Sequence, residues 1–254
     1  MPSRSLILAL AALLCAAVFP VGATAAQRTA SATGVAKVQG KNVLVEVFVE
    51  VPPGQTARQA TNAALAEQGA QPEPPPTGGV ADGPGFTGLV WDVLPLVQSY
   101  NPAGEPLAAE SLLQATQATW SAVPGSAFEM AFGGATSRCP SIVQECSGPQ
   151  VLDGFNDVGW ARLSGGTLGV TWSTTGAVDE ADMALSTRVA WSPGCASAAG
   201  VFDAQSVLLH ENGHVAGLDH AASTASVMYP FYQGPRCSLD ALDEQAIRTL
   251  YPAG

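Results

Sequence analysis

His210-Glu211-Asn212-Gly213-His214-Val215-Ala216-Gly217-Leu218-Asp219-His220 is the stretch on which the reading of this chain turns. The chain has three histidines, and all of them fall inside it. They stand at i, i+4 and i+10, with a glutamate at i+1. Residues four apart share a helix face, so His210 and His214 can hold one ion together. A continuing helix would carry His220 away, but Gly217 can take positive φ and let the chain turn back. Three neutral imidazoles form a zinc donor set with the fourth position open, the mark of a catalytic rather than a structural site. Glu211 sits beside that position, where a carboxylate can take a proton from an activated water and return it to a leaving amine. H-E-x-x-H alone is a weak signal, and the third histidine with Gly217 makes it specific.

Eight residues past His220 comes Met228, within Ser226-Val227-Met228-Tyr229-Pro230-Phe231-Tyr232. H-E-x-x-H-x-x-G-x-x-H followed by such a methionine resembles the metzincin zinc peptidases, and the residues around it resemble the matrixins. The resemblance implies a catalytic zinc on His210, His214 and His220, with Glu211 as general base. It further implies that Met228 lies under the metal and that Pro230 and Tyr232 line the S1′ pocket. Upstream it is weaker: Trp91 to Pro102 resembles the family's opening strand, and Asp179-Glu180-Ala181-Asp182 another of its strands. Leu242 to Tyr251 resembles its final helix. Ala221 departs from the serine or threonine usual after the third histidine. No histidine is left for a second, structural zinc, and residues 27–87 lack the cysteine that keeps latent matrixins closed. Metzincins take substrate as a strand added to a sheet edge, and Thr167–Trp172 is the edge we expect.

Four cysteines follow Cys15: Cys139, Cys146, Cys195 and Cys237. In an exported chain an even count implies disulfides, and three pairings are open. Cys139–Cys146 as a local staple and Cys195–Cys237 as a long bridge are favoured. Export is expected from the start of the chain. A basic Met-Pro-Ser-Arg precedes an apolar run and the small residues Ala23-Thr24-Ala25, the pattern of a signal peptide spanning 1–26. No second long apolar stretch follows, so no stable membrane insertion is expected after cleavage. The chain has 254 residues, 47% hydrophobic and 12% charged, with net charge −11. That charge repels phosphate backbones and argues against a nucleic-acid partner.

The alternation in Val43-Leu-Val-Glu-Val-Phe-Val-Glu-Val51 reads as a strand, and Thr56–Gln68 as a short helix. Proline and glycine crowd the stretch after it. We therefore expect a small N-terminal unit at 27–70, acting as pro-segment or accessory module, then a linker at 71–87 and a peptidase domain at 88–254. In that domain strands are expected at 88–97, 127–132, 167–172 and 180–186, with a loop over 133–159. Helices are expected at 106–123, 202–216 and 240–251. The fold class is α+β, a twisted mixed sheet with an active-site helix and a Met-turn.

The expected function is secreted, extracellular, zinc-dependent hydrolysis of proteins or peptides by a monomer. The alternative is a non-catalytic zinc-containing binding or adhesion module on the same scaffold, against which Glu211 argues. Ca2+ is a further candidate cofactor. Asp153, Asn156, Asp157, Asp179 and Asp182 carry suitable oxygens, but each is more often plain surface or turn, and none is assigned.

Overall fold

A computed structural model describes residues 28–72, 78–140, 151–163, 166–174, 180–196, 198 and 200–254. The expected signal peptide, Cys15, Cys146, Asp179 and the middle of the expected linker lie outside these residues. In chain order the strands and helices are β1 (Thr29–Val38), β2 (Lys41–Glu50), α1 (Ala57–Glu67), β3 (Gln71–Pro72), β4 (Pro84–Phe86) and β5 (Leu96–Tyr100). Then come α2 (Glu110–Ser121), β6 (Met130–Ala135), β7 (Asp157–Ala161), β8 (Thr167–Thr174), β9 (Ala181–Ser186) and β10 (Trp191–Ser192). The chain closes with β11 (Phe202–Asp203), α3 (Ala204–Val215), β12 (Leu218–Ala221) and α4 (Ala241–Leu250).

One eight-stranded sheet runs in the order β3-β1-β2-β8-β9-β7-β5-β6. Its first five strands pair antiparallel, and β9, β7, β5 and β6 pair parallel. This is the expected mixed sheet of an α+β fold. Both faces are covered. The odd-numbered valines of β2, with Val170 and Trp172 of β8, pack against Ala60, Ala64 and Leu65 of α1. On the other face Leu168, Met183 and Leu185 meet Leu208 and Leu209 of α3 and Trp120 of α2. The helix boundaries follow from local chemistry. Thr56 caps α1 in a capping box with Gln59, and Asp240 caps α4 with Asp243 in the same way. Among the described residues no helix is long and apolar enough to cross a membrane.

Two expectations change. Residues 88–95 are not a strand. Gly88 has φ +82°, Pro95 brings no N–H to a ladder, and the Trp91 indole donates to Val215 O at 2.7 Å, which holds this segment against the end of α3. The ladder starts at Leu96. The second change matters more. Thr167–Trp172 is not an edge, because β8 lies between β9 and β2 and every residue in it is buried. β2 pairs with it from Val43↔Thr174 to Val49↔Thr167 and fills the donors and acceptors an edge would leave open. Further shifts are smaller or more local: α2 begins at Glu110 rather than Pro106, β6 runs on to Ala135, and β7, a strand absent from the expectation, starts at Asp157 inside the expected loop.

Candidate active site

α3 carries the first two histidines and is held from every side. Asp203 caps its start, accepting from Ser206 N at 2.8 Å. Trp120 Nε1 donates to Leu209 O at 2.9 Å, and Asn212 Nδ2 donates to Thr116 Oγ1 at 2.9 Å. Gly217 ends the helix with φ +94°, and a Cβ there would stand 2.2 Å from Leu89 O. Glycine is therefore required twice over, for the dihedral and for the space. The chain then returns as β12, which pairs antiparallel with β4 and places His220 opposite α3.

The three imidazoles come together: their ligand nitrogens lie within 4.8 Å of one another. His210 Nδ1 is 2.7 Å from Val227 O, and His214 Nδ1 is 2.8 Å from Leu218 O. A carbonyl oxygen only accepts, so each Nδ1 carries the proton, and in a neutral ring each Nε2 is a bare lone pair. Burial lowers the His210 pKa to about 3, with the charge of His220 adding to the effect. Burial and the neighbouring histidines push His214 well down too. Both rings are neutral at neutral pH. Their Nε2 atoms nonetheless face each other at 3.0 Å, and His220 Nε2 is buried without a partner. Converging lone pairs at that distance repel unless a cation lies among them. The donor set fits a zinc ion, and the Nδ1 bonds orient the ligands as outer-shell partners do. At Asp219 burial works upward, but hydrogen bonding to His220, whose Nδ1 is 3.4 Å away, holds its pKa below the usual carboxylate range.

Glu211 is 1% exposed. Thr171 Oγ1 donates to its Oε2 at 2.5 Å, while Oε1 is buried with no partner. Burial raises its pKa to about 8 against the pull of the Thr171 bond. A Cβ on Gly169 would come 2.8 Å from Oε1, so that glycine makes room for the carboxylate. Neither Thr171 nor Gly169 was legible as a site residue. Their only sequence signal is a strand alternation that leaves its neighbours open.

Met228 lies under the histidine helix, fully buried, so close that a Cβ on Gly213 would fall 2.2 Å from its Sδ. Asp243 of α4 fastens this turn. It accepts from Val227 N at 2.9 Å, from Asp240 N at 3.0 Å and from Ser226 Oγ. Val227 O in turn faces His210 Nδ1, so α4 helps to orient a candidate ligand. Tyr232 OH accepts from Asp203 N at 3.0 Å, and its ring packs edge-on against Phe202. Tyr232 and Phe231 line a cavity of about 600 Å³. Pro230 lines an adjoining one of about 470 Å³ that reaches His220 and Asp219.

Cys195 and Cys237 form the expected bridge. Cys139 is disulfide-bonded, and its expected partner Cys146 lies outside the described residues. Three of the calcium candidates, Asn156, Asp157 and Asp182, are engaged with protein groups, and Asp179 lies outside the described residues. Arg138 grips Asp157 through two bonds of 2.8 and 2.9 Å, Asp182 Oδ1 accepts from Asp157 N, and Asn156 Oδ1 accepts from Ala181 N.

Residues 161–252 match the matrixin family model, a peptidase family. The chain is 41% identical over 63 residues to a hatching enzyme of Paracentrotus lividus, covering 24% of this chain and 10% of that protein. It is 44% identical over 45 residues to a protein of Trichoplusia ni ascovirus 2c named "Putative matrix metalloproteinase", covering 18% of this chain and 9% of that protein. The matched segment thus spans about a tenth of each relative's length.

Proposed function

We propose, from the premise that residues 161–252 are matrixin-like, that this chain is a secreted, extracellular zinc-dependent endopeptidase acting on proteins or peptides. The observation that carries the reading is the set of three converging imidazoles, two of them with Nδ1 tied to a backbone carbonyl and the third with Nε2 buried and unpartnered. His210, His214 and His220 would hold the ion. Zinc bound there would supply Lewis acidity, activating water near neutral pH and polarising the scissile carbonyl.

The chain's own residues do the rest. Thr171 pins one oxygen of Glu211, and the unpartnered Oε1 is the atom that accepts the water's proton and delivers it to the leaving amine. Met228 supports the ligand helix from below, and Asp243 steadies the turn that orients His210. Pro230 lines the cavity that reaches His220, and Tyr232 the one adjoining it, the side of the site on which a P1′ side chain would lodge.

A second reading, a non-catalytic zinc-containing binding module, draws on one observation. His210 and Glu211 are 2% and 1% exposed, too little for a substrate to reach them as they stand. The deciding experiment is cleavage of denatured casein by the zinc-loaded chain, before and after limited proteolysis, beside Glu211→Ala carried through the same steps. Cleavage that disappears in the variant while zinc is retained supports the peptidase. Zinc retained with no cleavage in any sample favours the binding module.

A further inference from the structure

The strand beside β8 comes from the chain's own N-terminal hairpin. In the β2–β8 register Glu46 stands opposite Thr171 and Phe48 opposite Gly169. Cross-strand partners point to the same face of a sheet. Thr171 and Gly169 are the residues that meet Glu211, so Glu46 and Phe48 face the metal site as well. The odd-numbered valines of β2 point away, beneath α1. The Phe48 ring lies 4.9 Å from the His210 ring. Glu46 is 2% exposed, and it forms a second metal-capable group with Asp219 and His220, their ligand atoms within 4.8 Å of one another.

β1 completes the cover. Its Thr33, paired with Glu46, places its hydroxyl 2.7 and 2.8 Å from the two Glu46 oxygens and 3.3 Å from Asp219 Oδ1. Thr29, at the start of β1, accepts from the backbone N–H of Tyr232. The hairpin therefore spans from β8 on one side of the metal site to the Pro230–Tyr232 segment on the other. We propose that this hairpin is a built-in occupant of the substrate edge, with Glu46 the carboxylate that closes the metal centre, and that the chain stays latent until the hairpin is displaced.

The geometry of the occupant is that of strand addition, in which backbone pairing gives affinity and alternate side chains meet pockets. Here the alternate side chains are Glu46, toward the His220 side of the site, and Phe48, against His210. The donor pattern agrees. The carboxyl groups of Glu46, Asp219 and Glu211 are buried around the three imidazoles, a set of oxygen and nitrogen donors that a divalent cation would draw together. The seating of the hairpin is thereby linked to the ion. No cysteine is needed for such closure, and the hairpin contains none.

The occupant role rests on the peptidase reading, so the test reads access to the metal as well as cleavage. The full chain, with a site-specific protease sequence introduced at 73–77, is loaded with Co2+. Its visible spectrum is titrated with acetohydroxamate, a small metal chelator, before and after nicking, and casein cleavage is followed in parallel. Glu46→Gln is measured un-nicked, and Glu50→Gln, at the far end of the same strand, serves as control.

The intact chain should resist acetohydroxamate, and nicking should release the 28–72 piece and open the metal. Glu46→Gln should alter the cobalt spectrum and respond at about tenfold lower chelator, while Glu50→Gln should match wild type. An intact wild-type chain that takes the chelator as readily as the nicked one overturns the proposal. So does a nicked chain that keeps both its hairpin and a closed metal, since the hairpin is then a permanent wall. If Glu46→Gln fails to fold, the nicked wild-type chain decides. If the metal opens on nicking but no substrate is cut, the hairpin inference stands and the peptidase reading falls.

Discussion

Gly213→Ala is an informative single change in the histidine helix. In an ordinary helix interior it would stabilise by about 1 kcal/mol, because alanine loses less backbone entropy. Here the new Cβ would stand 2.2 Å from Met228 Sδ, 3.0 Å from Met228 Cε and 3.0 Å from Trp120 Cζ2. Met228 and Trp120 are both fully buried, so neither can swing into solvent. Overpacking of this kind costs about 1–3 kcal/mol or more, and a sulfur contact this short belongs at the upper end. Net of the helix gain, a loss of about 2 kcal/mol is expected, a fall in Tm of about 4–8 °C for a chain of this size. The assay is thermal unfolding of the zinc-loaded protein followed by circular dichroism, repeated in a Met228→Ala background. Met228→Ala alone should cost about 2–5 kcal/mol. With the thioether gone, Gly213→Ala should become close to neutral, a coupling of about 2 kcal/mol between the two sites. A Gly213→Ala protein as stable as wild type, or a loss undiminished without Met228, would refute the packing argument.

The remaining expectations concern stability. Burial raises the Asp243 pKa to about 6, above its unfolded value, so the folded state holds its proton more tightly and this group's contribution falls as pH rises from about 4 to 6. Wild type should lose ground to Asp243→Asn by roughly 3 kcal/mol across that window, measured by urea unfolding at each pH, and a constant difference would contradict it. Asp243→Ala should cost about 3 kcal/mol at pH 7 by stranding the Val227 and Asp240 N–H groups. Cys195 and Cys237 are 42 residues apart, and replacing both by serine should lower unfolding free energy by about 4 kcal/mol in denaturant titrations. Arg138→Ala leaves the buried Asp157 without its two-pronged partner and should destabilise by about 2 kcal/mol, discounted because Arg138 is partly exposed. Adding Asp157→Asn should restore most of that loss, and failure to do so would separate the pair's charge from its role.

Much of the site could be read from the chain because its logic is local. His210 and His214 share a face by helical period alone, and Gly217 announces the turn that returns His220. The capping residues Thr56 and Asp240 fix two helix starts through bonds to their own first turns. The valines at odd positions of 43–51 mark β2 as a strand through the two-residue period, whereas the even cysteine count left three pairings open, of which the favoured one contains the Cys195–Cys237 bridge that the fold forms.

Tertiary structure decided what those periods cannot carry. A period of two says which side chains share a face, but nothing about which strand will lie alongside. Only the fold put β2 against β8, turned Glu46 and Phe48 toward the histidines, and made an expected edge an interior strand. Thr171 and Gly169 became partners of Glu211 because β8 passes under α3, a contact set by packing across 40 residues of sequence. Gly213, an unspecified position of the H-E-x-x-H pattern, is the space that Met228 fills. Hydrogen bonds within a turn are written in neighbouring residues, whereas an occupied edge and a filled gap depend on surfaces that meet only after the chain has folded.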